Sequence, residues 1–192
     1  MKNPYYYIGV NPTCDLIIIN PENKILLIKR SANAAACPSK WALPGGFIDT
    51  NAMPHTTWEE GKETPEEAAL RELQEETNLK LFKSQIIYPV GIYEGNKRDP
   101  RDNEISWSKS YAFLSFIDEE TYLAQKDTIV GLDDAEEAAW KTFEEIKAMD
   151  MAFDHLKIIL PNGYLCNYLQ KNIVSKVGTT ILPSIIPIND IR

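Results

Sequence analysis

The sequence predicts an α/β protein, with a mixed central sheet and helices on both of its faces. Three observations predict it. Runs of strand length, rich in β-branched and apolar residues, recur along the chain. One strongly capped helix lies among them. Further helical patterns follow the last run.

Residues 13–20 (TCDLIIIN) and 24–30 (KILLIKR) read as strands, and Pro21, Glu22 and Asn23 between them as a hairpin turn. Residues 41–48 (WALPGGFI) predict a short strand broken at Pro44, Gly45 and Gly46. The spacing over 64–78 predicts the main helix: Thr64 caps it, Pro65 takes its first position, Glu66 and Glu67 suit its first turn, and Asn78 ends it in a left-handed conformation. Residues 85–93 and 108–116 predict two more strands joined by a polar loop, and 138–141 a short edge strand. A helix over 142–149 would be capped by Thr142, and a longer one over 154–171 would be interrupted near Pro161, Asn162 and Gly163. One domain spanning 1–192 is expected, with a short C-terminal extension over about 172–192. Pro183 and Pro187 among isoleucines make that tail an irregular strap, suited to cover apolar surface or a homodimer contact.

Charge narrows the partners. The chain carries 28 acidic and 20 basic residues, a net charge of −8, which argues against broad binding to nucleic acid or an anionic membrane. A small anionic substrate remains compatible where arginines or a cation offset the field. Three cysteines (Cys14, Cys37, Cys166) without a CxxC pair point to reduced thiols and a cytoplasmic protein. No run of signal length or membrane-span length is seen.

The stretch RELQEETNL places Glu72, Glu75 and Glu76 within an arc of roughly 100° on the helix. Like charges three and four residues apart repel by about 0.2–0.5 kcal/mol per pair. Read alone, such a stripe is more often an acidic solvated face. A cation among the carboxylates would turn the repulsion into a binding site, and a hard ion such as Mg²⁺ takes oxygen ligands of this kind. Ala68, one turn earlier in the same arc, would leave room for a ligand above the helix.

The order Pro44-Gly45-Gly46, then Glu63, Arg71-Glu72-Leu73, Glu75-Glu76 and Asn78-Leu79, resembles the signature of the Nudix hydrolase family. The resemblance spans about residues 10–160 and departs in two places. Asn78 stands where the family usually has glycine, a mild change because Asn tolerates positive φ. Sixteen residues separate Gly46 from Glu63 where the family has about five, and the excess corresponds to residues 50–60 (TNAMPHTTWEE). A surface-loop insertion of that size costs little entropy. His55 and Trp58 within it would serve a lid, or simply an exposed loop.

The resemblance implies a Nudix-type α/β/α sandwich and a set of roles. Glu72, Glu75 and Glu76 would hold Mg²⁺, with Mn²⁺ as a substitute, and Gly46 would lend backbone contacts beside the metal. Glu75 or Glu76 would also be the water-activating base. Glu63 and Arg71 would form an orienting pair, where an ordinary surface salt bridge is the plainer reading. Substrate choice falls to the later loops. Arg98 and Arg101 flank Asp99-Pro100, a turn able to aim both guanidiniums at one anion. With Gly131, Asp133, Asp134, Ala135 and Trp140, and then Phe153-Asp154-His155, the series is similar to ADP-ribose pyrophosphatases of the family and to its ADP-ribose-binding domains. Asp133 and Asp134 are the favoured further acidic residues, ahead of Glu119 and Glu120.

Each of these has a plainer reading: loop solvation for the arginines, core packing for Trp140, helix capping for Asp154. Asp15 and the Tyr5-Tyr6-Tyr7 run suit a nucleoside pocket or an interface equally. The expected activity is Mg²⁺-dependent hydrolysis of ADP-ribose to AMP and ribose 5-phosphate. The alternatives are a Nudix hydrolase of another nucleotide and a non-catalytic ADP-ribose sensor. The complete glutamate set, the acidic charge and the short stretch after Leu160 weigh against a DNA-reading sensor.

Overall fold

The computed structural model describes residues 4–82, 87–95 and 97–159. Its sheet begins with the expected hairpin, β1 (Gly9–Ile19) followed by β2 (Ile25–Arg30). The Asn20 side chain accepts the backbone N–H groups of Glu22 (3.0 Å) and Lys24 (2.8 Å), and Asn23 takes the left-handed φ of 60°. The two strands then part, since their register holds Ile19 opposite Ile25 only.

The glycine-rich segment fills that wedge. β3 (Trp41–Ala42) pairs with β2, and the chain runs on beside β1. Leu16 N–H donates to Pro44 O, Cys14 N–H to Gly46 O and Ile48 N–H to Pro12 O, at 2.9, 2.9 and 3.0 Å. The break in the expected strand therefore sits between two strands, not at an edge.

The far side of β1 pairs in parallel with β5 (Ser106–Phe116), from Gly9 opposite Ser106 to Ile19 opposite Phe116. Beyond it β4 (Ile87–Glu94) runs antiparallel to β5, with a bulge between Pro89 and Gly91. β6 (Ala135–Lys141), longer than expected, is antiparallel to β2. The sheet is mixed, as its sequence predicts.

Alternation along β1 explains the layers. Leu16 and Ile18 face one side, where Ala68, Ala69 and Leu73 of α1 (Pro65–Thr77) pack with Leu26 and Phe113. Ile17 and Ile19 face the other, against Leu27, Leu43, Ile146 of α3 (Phe143–Lys147) and Ile158 of α4 (His155–Ile159). A strand buried on both faces reads as a continuous apolar run, as LIII does. Ala68 is fully buried in this core. It does not open space for a ligand, because its side of the helix turns toward the sheet.

Both ends of α1 match expectation, and its start is stronger. Thr64 Oγ1 accepts Glu67 N–H at 3.2 Å while Glu67 Oε2 accepts Thr64 N–H at 2.8 Å, a reciprocal box. Asn78 closes the helix at φ 60°. One helix was not anticipated: α2 (Glu119–Gln125), capped by Asp118. It buries Tyr122 alone, too little periodicity to announce itself. Glu119 and Glu120 lie in its first turn and do not line the cavity described below. Of the long helix expected over 154–171, only His155–Ile159 falls within the described residues; the C-terminal extension and Cys166 lie outside them. Among the described residues no helix is long and apolar enough to cross a membrane.

Candidate active site

Arg71 organises the acidic face of α1. Its guanidinium donates to both Glu63 oxygens, from Nε at 3.1 Å and Nη2 at 2.7 Å, and to Phe47 O at 3.0 Å. The remaining nitrogen, Nη1, reaches Glu72 and Glu75, each at 2.9 Å. Glu63 in turn accepts Asp49 N–H at 2.7 Å. With side chains 29% and 12% exposed, Arg71 and Glu63 are far from a surface pair. They tie the start of the helix to the glycine-rich segment.

The two glycines meet the carboxylates directly. Gly45 N–H donates to Glu76 Oε2 at 2.8 Å. A Cβ on Gly46 would lie 2.4 Å from Glu72 Oε1, and a Cβ on Gly45 would lie 2.1 Å from Cys14 O. A side chain at Gly45 would meet backbone, and one at Gly46 would displace the Glu72 carboxylate, so backbone and carboxylates come within touching distance. Glu76 is 3% exposed, and burial pushes its carboxyl well above the usual range; burial also raises Glu72, whose side chain is largely covered. Glu75 stays half-exposed.

These groups line a cavity of about 460 Å³ together with Arg30, Arg98, Arg101, Asp133 and Asp134. Gly46, Arg71, Glu72, Glu75, Glu76, Arg98, Arg101, Asp133 and Asp134 are all on its lining, as expected from the sequence, whereas Glu63 acts from behind through Arg71 and Asp154 and Trp140 lie off it. The two loop arginines do not converge on one point. Arg98 is held by Asp154 through two bonds of 2.7 Å, and Arg101 by Asp99, at 2.6 Å from Nη2. Asp154 thus serves Arg98 rather than a helix cap. Asp133 sits at a positive φ of 50°, and Asp134 O accepts Ser31 N–H at 2.9 Å. Trp140 belongs to the core, edge-on to Tyr122 at 5.7 Å.

One residue of the cavity, Arg30, and one pairing in its wall, Asp15 with His155, escaped the sequence. Arg30 lines it with Nε on Ala36 O (3.0 Å) and its guanidinium 5.1 Å from the centre of the Phe153 ring, and no ion pair joins it to a carboxylate among the described residues. A buried polar group forms part of the same wall: His155 Nε2 lies 3.2 Å from Asp15 Oδ1, Ser110 donates to the other Asp15 oxygen, and His155 Nδ1 accepts Leu43 N–H at 2.9 Å. Burial would raise the Asp15 carboxyl, but His155, Ser110 and the Arg98 charge more than offset this and hold it below the usual range. Arg30 was not legible because it sits inside a strand pattern; Asp15 and His155 were each singled out, but their pairing was not, since they are 140 positions apart.

The NUDIX domain profile matches residues 10–160. The chain belongs to the NUDIX family. It is a Nudix hydrolase by that membership, and its fold is the Nudix fold. An ADP-ribose pyrophosphatase of Methanocaldococcus jannaschii is 38% identical over 148 residues, 74% of this chain and 67% of the relative. The ADPR responsive transcriptional repressor NtrR of Acinetobacter baylyi is 31% identical over 146 residues, 74% of this chain; the match spans about half of the repressor, 49%. Among solved structures, a bifunctional NMN adenylyltransferase/ADP ribose pyrophosphatase of Francisella tularensis, complexed with AMP and a Mn ion, superposes with a TM-score of 0.60 at 26% identity, over 88% of this chain and 44% of that one.

The Nudix donor set fits a hard divalent cation by its chemistry: carboxylate oxygens on Glu72, Glu75 and Glu76 and the backbone of Gly46, with no thiolate or imidazole on that helix face. In this arrangement no three acidic, His or Cys side chains among the described residues are grouped tightly enough to hold an ion. Arg71 Nη1 holds one oxygen of Glu72 and one of Glu75, which leaves the second oxygen of each for a cation.

Proposed function

We propose that this protein hydrolyses the pyrophosphate of ADP-ribose, adding water across one P–O bond to give AMP and ribose 5-phosphate, with Mg²⁺ bound by Glu72, Glu75 and Glu76 beside Gly46. Mn²⁺ substitutes in this reading. What supports it is one cavity of about 460 Å³ in which the glutamate face meets arginines and aromatic rings. That volume suits a ligand of nucleotide size. The similarity to an ADP-ribose pyrophosphatase points the same way.

When bound, the divalent ion supplies charge neutralisation on the pyrophosphate. The chain's own residues do the rest. Gly45 N–H fixes the Glu76 carboxylate, and Arg71 with Glu63 fixes the helix face from which Glu72 and Glu75 project. Glu75 or Glu76 takes the proton from the attacking water. Arg30, whose Nη nitrogens carry no ion pair among the described residues, is the cation best placed for a phosphate. Arg98 and Arg101, each already held by an aspartate, shape the wall and donate to the ligand with what remains. Asp133 and Asp134 are the acidic residues that would join from the later loop.

A second reading is an ADP-ribose sensor without turnover, favoured by the 31% identity to a repressor that responds to that nucleotide. The deciding experiment follows release of AMP from ADP-ribose with Mg²⁺, with Mn²⁺ and with a chelator, beside other nucleoside diphosphate sugars, dinucleotides and oxidised nucleoside triphosphates. Metal-dependent release strongest with ADP-ribose is expected. Tight ADP-ribose binding without release would favour the sensor, and faster turnover of another nucleotide would move the substrate.

A further inference from the structure

Tyr6 precedes the family-matched stretch, yet its ring lines the cavity. It is 65% exposed, unusual for an aromatic side chain whose backbone is fixed on every side. His55 N–H donates to Tyr6 O at 2.7 Å and Ile8 N–H to Thr56 O at 2.9 Å, so a short parallel bridge joins Ile8 to Thr57. Asn11 clasps the next residue from its other side, accepting Tyr7 N–H and donating to Tyr7 O, both at 3.0 Å. Tyr5 is buried, with its hydroxyl on Asp102 at 2.5 Å. The insertion over 50–60 is therefore neither a lid nor a free loop. Its base is closed by Thr50 on Glu59 O and by the Trp58 indole on Ile48 O at 3.3 Å, and Trp58 packs on the core below. His55 and Trp58 do not line the cavity. The segment acts as a bracket that holds residues 5–8 at the cavity rim.

The ring that the bracket presents has an open face. Arg101 lies over the Tyr5 and Phe47 rings, at 5.2 and 5.5 Å from their centres. Tyr6 meets the Phe47 ring edge-on at 6.2 Å and the Tyr7 ring at a tilt at 6.5 Å, neither of them stacked face to face on it, and carries no cation over its own ring among the described residues. Phe47 is next in sequence to Gly46, so this aromatic wall adjoins the glutamate face. A rigid, exposed, flat π-surface beside phosphate-binding chemistry suits a nucleobase. Stacking of this kind tolerates any base, because each has a π-face.

We propose that Tyr6, positioned by the 50–60 insertion, stacks on the nucleobase of the substrate and supplies base affinity without choosing the base. The proposal rests on the nucleotide reading of the cavity. Its test is calorimetric binding of AMP, which carries a base, and of ribose 5-phosphate, which carries none, to the full chain. Tyr6→Ala should weaken AMP about tenfold, with ribose 5-phosphate changed by less than about twofold, and Tyr6→Phe should bind both as the unaltered protein does. Tyr6→Leu, which keeps apolar bulk and guards against misfolding of the alanine variant, should lose AMP to a similar degree. Replacing residues 52–57 by two glycines should mimic Tyr6→Ala. Equal AMP affinity in the unaltered protein, Tyr6→Ala and Tyr6→Leu overturns the proposal. So does equal weakening of the two ligands, loss of a dimer as the only effect, or failure of the unaltered protein to bind AMP. ADP-ribose turnover is measured separately: Tyr6-dependent AMP binding without turnover would sink the hydrolase reading and leave the stacking role standing.

Discussion

Gly45 and Gly46 adjoin in sequence, but their replacement by alanine should fail in opposite ways. A Cβ on Gly46 would stand 2.4, 2.5 and 2.8 Å from Oε1, Cδ and Oε2 of Glu72. Ordinary contact needs about 3.5 Å, so the carboxylate must withdraw by about 1 Å. It sits at the end of a flexible side chain, and withdrawal costs the fold little, below about 1 kcal/mol. A displacement of about 1 Å at a reacting centre costs about a hundredfold in rate, or about 2.7 kcal/mol in the barrier. Gly45 is different. Its added Cβ would lie 2.1 Å from Cys14 O, a backbone atom inside the sheet, and its φ of 155° is one that L residues rarely adopt. Backbone overpacking of this kind costs about 3 kcal/mol or more, which lowers Tm by about 6 °C or more in a chain of this size. Gly46→Ala should therefore keep its Tm within about 4 °C and lose about a hundredfold in kcat on whichever substrate the unaltered protein turns over. The assay is thermal unfolding beside steady-state kinetics for both variants. Full turnover in Gly46→Ala, or equal loss of Tm in the two, would refute the reasoning.

The remaining expectations concern single side chains. Glu76→Gln keeps an oxygen for Gly45 N–H but removes the charge, so kcat should fall by about a hundredfold or more with Tm nearly unchanged; near-normal turnover would remove Glu76 from the chemistry. Arg30→Ala should raise KM for ADP-ribose about tenfold, at about 1.4 kcal/mol per decade, and by more than Arg101→Ala does, because Arg101 is already held by Asp99; the reverse order in a kinetic comparison would return the phosphate role to Arg101. Asp15 is held below the usual carboxyl range, so its contribution to stability is complete above about pH 4 and is lost as pH falls through its lowered value. Tm measured from about pH 6 down to about pH 2 should drop more steeply in the unaltered protein than in Asp15→Asn, and matching slopes would contradict this.

Much of the fold is local physics and was legible. Thr64, Pro65 and Asn78 define α1 by capping and by restricted or tolerated φ, and the turn at residues 21–23 defines the hairpin, since each needs only its neighbours. The glutamate stripe follows from helical spacing, and so did the approach of Arg71 to Glu63, eight positions away on the same element and its entry. α2 was missed because seven residues that bury one tyrosine carry almost no periodicity.

What the sequence by itself determined is the strand and helix inventory around α1, the Nudix-like order of residues, and the acidic face with its supporting arginine. Only the tertiary structure decided what those residues meet. It set the glycine-rich segment between β1 and β2, turned Ala68 into the core, gave Arg98 and Arg101 their separate aspartates, and left Arg30 without one among the described residues. It also brought His155 to Asp15 and residues 55–57 to the tyrosine run. The physical reason is range. Capping, turns and helical spacing act over a few residues and leave a mark in the order of the chain. Pairing of charges and packing of rings across the sheet depend on which segments the topology makes neighbours, and that is fixed only when the core closes.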